Sequence, residues 1–335
     1  MVSYQTKNRL RRGVKIALLV LAALLLLAVV RFIYLERFLV YEKDGVHLDL
    51  GGGVATVAQN RQTPSAESFP LVREDAHGAA ISQPVEGQIK KLSGVYVSAA
   101  QLQDPDVQAS FVDFSENAIL LDVKTATGKF LYPTQAEHTD VSAKAEEIGT
   151  LLKQLKGKRN VTRIARLPAF ADRAYALSDF SHSLAIAGGA LWMDGNGSYW
   201  LDPASEDVRA YLIAEAKELS RLGFDEIVFD GFFFPQSASI VYSGDGSEAC
   251  REAAREIADA LRDTGVLCSF ISGDPEILAC SARGYIPLTD EMLIASLVDT
   301  YAELFSGDGA RLVFLTDSHD SRLADYSMLS PWTEE

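Results

Sequence analysis

From about Leu92 onward the sequence alternates short, continuous apolar runs with longer amphipathic segments, and this alternation limits the chain to one fold class. Val95–Ser98, Ala118–Val123, Val161–Leu167, Glu226–Phe229, Val266–Ile271 and Arg311–Thr316 have the length and aliphatic content of strands buried on both faces. Between them, Ser142–Leu155, Glu206–Leu222 and Glu248–Asp263 keep helical spacing and run up to Gly157, Gly223 and Gly265, with Ser205 and Ser247 as caps for the second and third. Asp274-Pro275 opens another helix, which ends before Gly284. Strands separated by helices pair in parallel, and residues 92–335 match the ~250 residues of a (β/α)8 TIM-type barrel, the α/β architecture expected here. A doubly wound open sheet is the alternative. No Gly-rich phosphate loop follows a strand, however; Gly188-Gly189 and Gly195-x-Gly197 lie in a long loop. The C-terminus leaves the eighth strand missing or supplied unconventionally. Met292–Val298 reads as a strand, yet Thr289-Asp290-Glu291 starts a helix and Leu293, Leu297, Tyr301 and Leu304 keep helical spacing.

The N-terminal region obeys other rules. Ile16–Val30 is an unbroken apolar run, extended past Arg31 by Phe32–Leu35, with no polar face that would let it pack as a surface helix. Leu, Ile and Val each favour insertion by roughly 0.3–0.6 kcal/mol, so the run outweighs an Arg that costs about 2.5–3.5 at mid-bilayer and that, near the end of the span, snorkels to the interface. Residues 14–35 therefore read as an uncleaved signal-anchor; the rival, a cleaved signal peptide, lacks a small-x-small site at Ala28–Arg31. Lys7, Arg9, Arg11, Arg12 and Lys15 keep residues 1–13 cytoplasmic, which predicts a single-pass protein of the cell membrane with its C-terminal part outside. Residues 36–91 hold a small hairpin, Arg37–Val40 and Val46–Leu50 around Glu42-Lys43-Asp44-Gly45, and then a linker carrying Pro64, Pro70 and Pro84. The formal charge of -15 excludes a nucleic-acid partner, since phosphate binding needs a basic surface. The histidines form no ligand-spaced pair, and neither a metal nor a cofactor is expected. Cys268 sits in an apolar run and reads as core, while Cys250 and Cys280 pair or stay free.

In a barrel of this kind, side chains at the C-terminal ends of strands form the active face. Asp122, Arg166 and Asp230 each end an apolar strand, whereas Glu226 sits at the opposite end of its strand and reads as structural. An acid in such a place is costly to bury without a partner, so Asp122 with Lys124 or Arg166 has a second reading as a plain ion pair at the rim. The loop from Pro168 to Ser205 is far longer than usual and carries Trp192, Asp194, Tyr199, Trp200 and Asp202. Its rings suit stacking on sugar faces, or else they pack the loop onto the barrel. Phe232-Phe233-Phe234-Pro235, directly after Asp230, is pocket wall or core.

These segments resemble a family of bacterial glycoside-hydrolase-like domains of unknown function, single TIM barrels distantly related to amylase-type glycosidases. The matching stretches are Gly94-Val95-Tyr96-Val97-Ser98, Ile119–Gly128, Ile164-Ala165-Arg166, Gly188–Trp192, Trp200-Leu201-Asp202-Pro203 and Leu222–Asp230 with Phe234-Pro235, in order over residues 93–273. The resemblance implies Asp-x-Lys at Asp122 and Lys124, an arginine at Arg166 and carboxylates at Asp202 and Asp230. Two departures stand out. The family follows the fourth-strand aspartate with Tyr-x-Arg-Phe-Pro, where this chain has Gly231-Phe232-Phe233-Phe234-Pro235, and it commonly carries an acid after the fifth strand, where only Asp274 lies near.

Glycoside hydrolysis needs two carboxyl groups, one protonated and one acting as nucleophile or base. On this reading Asp230 is the nucleophile or base, and Asp122, Asp202 or Asp274 is the acid. Lys124, Arg166, Trp192, Asp194, Trp200, Phe232 and Phe234 contact a polysaccharide or cell-wall glycan. The alternative is a surface barrel that binds glycan without cleaving it, which the two departures favour.

Overall fold

The structure, a computed structural model, describes residues 39–42, 45–48, 89–111 and 114–333. Residues 1–13, the expected span at 14–35 and most of the linker lie outside the described residues, among which no helix is long and apolar enough to cross a membrane. In the N-terminal unit, Leu39–Glu42 pairs antiparallel with Gly45–Leu48, Glu42 opposite Gly45, so Glu42 and Gly45 belong to the strands rather than to the turn between the expected Arg37–Val40 and Val46–Leu50.

The second unit is a closed barrel of eight parallel strands. In chain order they are β1 (Ser93–Val97), β2 (Ala118–Asp122), β3 (Thr162–Pro168), β4 (Glu226–Asp230), β5 (Leu267–Phe270), β6 (Gly284–Pro287), β7 (Leu312–Leu315) and β8 (Ser327–Pro331). Each pairs with the next and β8 closes onto β1, Leu329 opposite Gly94. The ring is thus complete. Two strands had escaped the sequence pattern: β6 is four residues bounded by Gly284 and Pro287, and β8 contains Ser327, Ser330 and Pro331, so neither shows an aliphatic run. Met292–Val298 is helical, a 3-10 turn at Glu291–Leu293 leading into Ile294–Ala302.

Among the described residues seven α-helices accompany the strands: α1 (Pro105–Ser110), α2 (Ala145–Lys156), α3 (Arg173–Ser178), α4 (Glu206–Leu222), α5 (Gly246–Leu261), α6 (Pro275–Ala279) and α7 (Ile294–Ala302). The Ser205 hydroxyl caps α4 by accepting from Val208 N–H, and Gly223 ends it at φ +101, a conformation that favours glycine. The α5 cap is Asp245 rather than Ser247, accepting from Ser247 and Glu248 N–H. Alternation along the strands divides the apolar side chains into two sets. Leu120, Ile164, Val228, Val313, Leu315 and Leu329 cluster inside the barrel, while Ile119, Leu121, Ala165, Ile227 and Phe229 pack outward with helix residues such as Ile148, Leu152, Leu212 and Ile257. Cys250 and Cys268 are buried among the outer set and Cys280 is half-buried; all three are free thiols.

Two charged networks are buried within this packing. At the N-terminal end of the barrel, Arg283 pairs with Glu226 and donates to the carbonyls of Ala310 and Lys90, while Ser269 Oγ donates to Glu226 Oε1 at 2.6 Å. Both side chains of the pair are sealed from solvent, consistent with the structural reading of Glu226. The second network corrects the assignment of Lys124 to substrate. Strand β2 ends at Asp122, so the inward register is lost before Lys124, which bridges to Phe130 in the following loop. Its ammonium is buried against Glu215 of α4 at 2.6 Å, Asp172 of the β3 loop at 2.7 Å and the Tyr211 hydroxyl at 3.2 Å. Two carboxylates sharing one ammonium in a dry site cannot both be ionised cheaply. Burial pushes Glu215 up to about 7, with the Asp172 charge adding to the rise and Lys124 opposing it.

Truncating one partner of the first network strands a buried charge. Arg283→Leu is expected to cost about 3–5 kcal/mol in denaturant unfolding, and Glu226→Leu/Arg283→Leu to be more stable than the single variant. Between its ordinary value near 4.5 and about 7, Glu215 holds in the folded chain a proton that the unfolded chain has released. Stability therefore falls as pH rises through that window and levels above it. Melting curves taken across the window should show this slope in the wild type and a reduced one in Glu215→Gln.

Candidate active site

The C-terminal ends of β2, β3 and β4 bring three of the expected site residues together. Asp122 lies opposite Arg166 in the β2–β3 register, and the guanidinium grips the carboxylate in two places, Nε–Oδ1 at 2.6 Å and Nη2–Oδ2 at 3.0 Å. Such a fork fixes the plane of the arginine as well as its charge. The Tyr96 ring of β1 lies 5.8 Å from the guanidinium carbon, forming a further wall. Asp230 ends β4 level with Pro168, within the electrostatic reach of Arg166 and Asp122.

Asp230 differs from the other acids in how it is held. Its Oδ1 accepts the N–H of Gly231 at 2.7 Å, and this is the single hydrogen bond its side chain makes among the described residues. Gly231 adopts φ +67, so the chain turns sharply as it leaves the strand. The carboxyl is half-buried, and burial raises its pKa above the ordinary aspartate value; Arg166 and the Gly231 N–H pull it down, and Asp122 pushes it up again. A proton is therefore retained longer on Asp230 than on a solvated carboxylate.

The remaining expected acids are elsewhere. Asp202 accepts from Ala204 N–H at 2.9 Å and from the Tyr242 hydroxyl at 3.1 Å, shaping the turn that leads into α4. Asp274 caps α6 through Glu276 N–H and pairs with Arg251 of α5 at 2.9 Å. Both act on the Cys250 thiol of α5, which burial pushes up to about 12, with Asp274 and Asp202 contributing further. The charges that act on Asp230 are Arg166 and Asp122. Asp202 and Asp274 thus belong to the packing of α4, α5 and α6, and the expected convergence of 122, 202 and 230 holds for the first and last only.

The long β3 loop is a folded meander. Ala185–Ile186 pairs antiparallel with Ile240–Val241 of the β4 loop, and bridges join Ala185 to Leu191, Met193 to Tyr199 and Ser183 to Leu201. Asp194 holds its turn by accepting from Asn196 and Ser198 N–H and from Trp200 Nε1 at 3.0 Å, so it is a structural residue rather than a sugar contact. Trp200 is buried against Trp192 and Phe233. Phe232 is core, fully enclosed by Phe170, Phe229 and Phe270, and Phe234 packs on Tyr242. The rings of these loops that reach solvent include Trp192 and Tyr199, both half-buried, Phe180, which is 56% exposed, and Phe233, which is 48% exposed and was masked in the sequence by its two phenylalanine neighbours. Tyr96 was also missed as a site residue; its position near the end of β1 was the available signal. Among the described residues no group of three or more His, Cys, Asp or Glu could hold a metal ion.

No curated protein matches this sequence. Among solved structures, a hypothetical protein from Ruminiclostridium thermocellum is 26% identical, the match covering 55% of this chain and 99% of that one with a TM-score of 0.48. The glycoside hydrolase domain of PelA from Pseudomonas aeruginosa is 15% identical over 72% of this chain and 95% of its own, TM-score 0.47. Ega3 from Aspergillus fumigatus, in complex with galactosamine, is 10% identical over 75% and 95%, TM-score 0.48. Residues 94–269, running from β1 into β5 and including Asp122, Arg166 and Asp230, match the sequence profile of the family described as "Putative glycosyl hydrolase domain", and the chain belongs to that family.

Proposed function

We propose that this protein is a glycoside hydrolase of the cell surface, held in the membrane by residues 14–35 and acting on a polysaccharide with its barrel outside the cell. The observation that carries the reading is Asp230: a desolvated carboxyl at the C-terminal end of a barrel strand, with one oxygen fixed by Gly231 N–H and a guanidinium beside it that is already committed to Asp122. Because burial raises its pKa above the ordinary aspartate value, Asp230 suits the general acid that protonates the leaving glycosidic oxygen, rather than the nucleophile or base that its position and the family resemblance suggested. Arg166, oriented by Asp122, faces the hydroxyls of the bound sugar, and Tyr96 flanks it. Phe233 and Trp192 offer apolar surface for further rings along the chain.

A second reading, glycan binding without cleavage, draws on the engagement of the other acids: Asp122, Asp202 and Asp274 are each tied to an arginine, a hydroxyl or a backbone N–H. One assay separates the two. Reducing ends released from amylose, chitosan and bacterial cell-wall polysaccharide are measured for the full-length chain and for Asp230→Asn. The hydrolase reading expects turnover on at least one polymer, a loss of about 10²–10⁴-fold in the variant, and wild-type activity that declines on the alkaline side as Asp230 loses its proton. Retained pull-down of a polymer with no release of reducing ends would instead establish the binding module.

A further inference from the structure

A proton donor with a guanidinium beside it is an uneasy combination. The positive charge favours the ionised carboxyl, which would turn Asp230 from an acid into a base. What stands on the other side of Arg166 therefore bears directly on the chemistry.

The register within the strands fixes that arrangement. Leu120, Ile164 and Val228 of β2, β3 and β4 belong to the inner cluster, so Asp122, Arg166 and Asp230, each two places on, share the inward face without leaving their strands. Strand β3 runs between β2 and β4. Asp122 is directly opposite Arg166; on the other side Arg166 is opposite Val228, and Asp230 is the next inward place along β4. Across three adjacent strands the row reads acid, guanidinium, acid. The cation is spent on one of the two: Nε and Nη2 both donate to Asp122, at 2.6 and 3.0 Å, and no hydrogen bond or ion pair joins Arg166 to Asp230. The pair is largely enclosed, its side chains 18% and 17% exposed, so its charges are weakly screened. No other charge faces Asp230. The inward face of β5 offers Ser269, bonded to Glu226 at the floor, and Ile271, while Tyr96 of β1 lies against Arg166.

We infer that Asp122 is a positioning residue that keeps Asp230 a proton donor by cancelling the charge of the guanidinium that stands between their strands; the catalytic consequence rests on the hydrolase reading. With one proton on Asp230 the row is neutral, and burial favours that state. Arg166 opposes it and Asp122 restores it, which matches the direction in which each acts on Asp230. Asp122 itself neither donates a proton nor attacks, since both its oxygens are held by Arg166. Without its charge, the same guanidinium would face Asp230 uncompensated and hold it as a carboxylate down to lower pH.

The test follows the Gly231 amide, which is bonded to Asp230 Oδ1 and whose magnetic resonance moves as that carboxyl titrates. Full-length chain in detergent micelles, labelled in the glycine nitrogen and the aspartate carbonyl carbon, shows only the glycines that follow an aspartate: Gly45, Gly195, Gly231, Gly246 and Gly309. Asp230→Asn removes the Gly231 signal and so identifies it. Asp122→Asn, which keeps the shape and drops the charge, is expected to lower the titration midpoint by about half a pH unit or more, and Arg166→Gln to raise it by a similar amount. Mere loosening of the site would wet Asp230 and lower the midpoint in both variants. An unmoved midpoint in Asp122→Asn, or shifts of the same sign in the two variants, would thus overturn the inference. Should Asp122→Asn fail to fold, an unmoved or lowered midpoint in Arg166→Gln overturns it alone. On a polymer that the wild type cleaves, the alkaline limb of kcat/KM in Asp122→Asn should move to lower pH together with the Gly231 midpoint. Equal loss at every pH with an unmoved limb would count against the inference and leave the hydrolase reading standing. Wild-type inactivity on every polymer would remove the hydrolase reading, whereas opposite shifts of the Gly231 midpoint would still uphold the charge cancellation.

Discussion

Closure of the parallel ladder is the constraint from which the rest of the molecule follows. Once β8 pairs with β1, every strand residue is assigned to the inside or the outside, and the two faces must satisfy different demands. Outside, the demand is apolar and is met by the helices. Inside, the aliphatic layer of Leu120, Ile164, Val228, Val313 and Leu329 separates two polar ends: a sealed pair, Glu226 with Arg283, at the strand starts, and a solvent-reaching group, Asp122, Arg166 and Asp230, at the strand ends. The same residue types are sealed at one end and reach water at the other.

How much of this could be read in advance depended on where tertiary packing agrees with local pattern. Six strands with aliphatic runs were visible, as were α2, α4 and α5, whose boundaries glycines and caps mark. Strands β6 and β8 were not, since burial there is supplied by neighbours on both sides rather than by their own short, Ser- and Pro-containing segments. For the site, position at a strand end was sufficient to select Asp122, Arg166 and Asp230. Motif spacing was misleading for Lys124, because a period of two holds only while the chain remains in the strand. Aromatic density in the β3 loop allowed either sugar stacking or packing of the loop onto the barrel, and Trp200, buried and donating to Asp194, takes the second role, as Phe232 of the β4 loop does by filling the core. Whether a ring faces solvent is a property of the meander and its pairing with the β4 loop, which composition does not encode.

The two buried networks also divide labour between permanence and response. Glu226 with Arg283 is a one-to-one pair with hydroxyl and carbonyl partners, and its charge is balanced. The Lys124 cluster sets one cation against two acids and must carry an extra proton to reach neutrality. Because it joins the segment after β2, the β3 loop and α4, its protonation state bears on the packing of those three segments.

The hold that Arg283 keeps on the Lys90 carbonyl has a geometric corollary for the whole domain. Lys90 precedes β1, so the polypeptide enters at the plugged floor of the cylinder, and its opening lies on the far side. The segment just before β1 thus braces the sealed end of the barrel through Arg283, at the opposite strand ends from Asp122, Arg166 and Asp230.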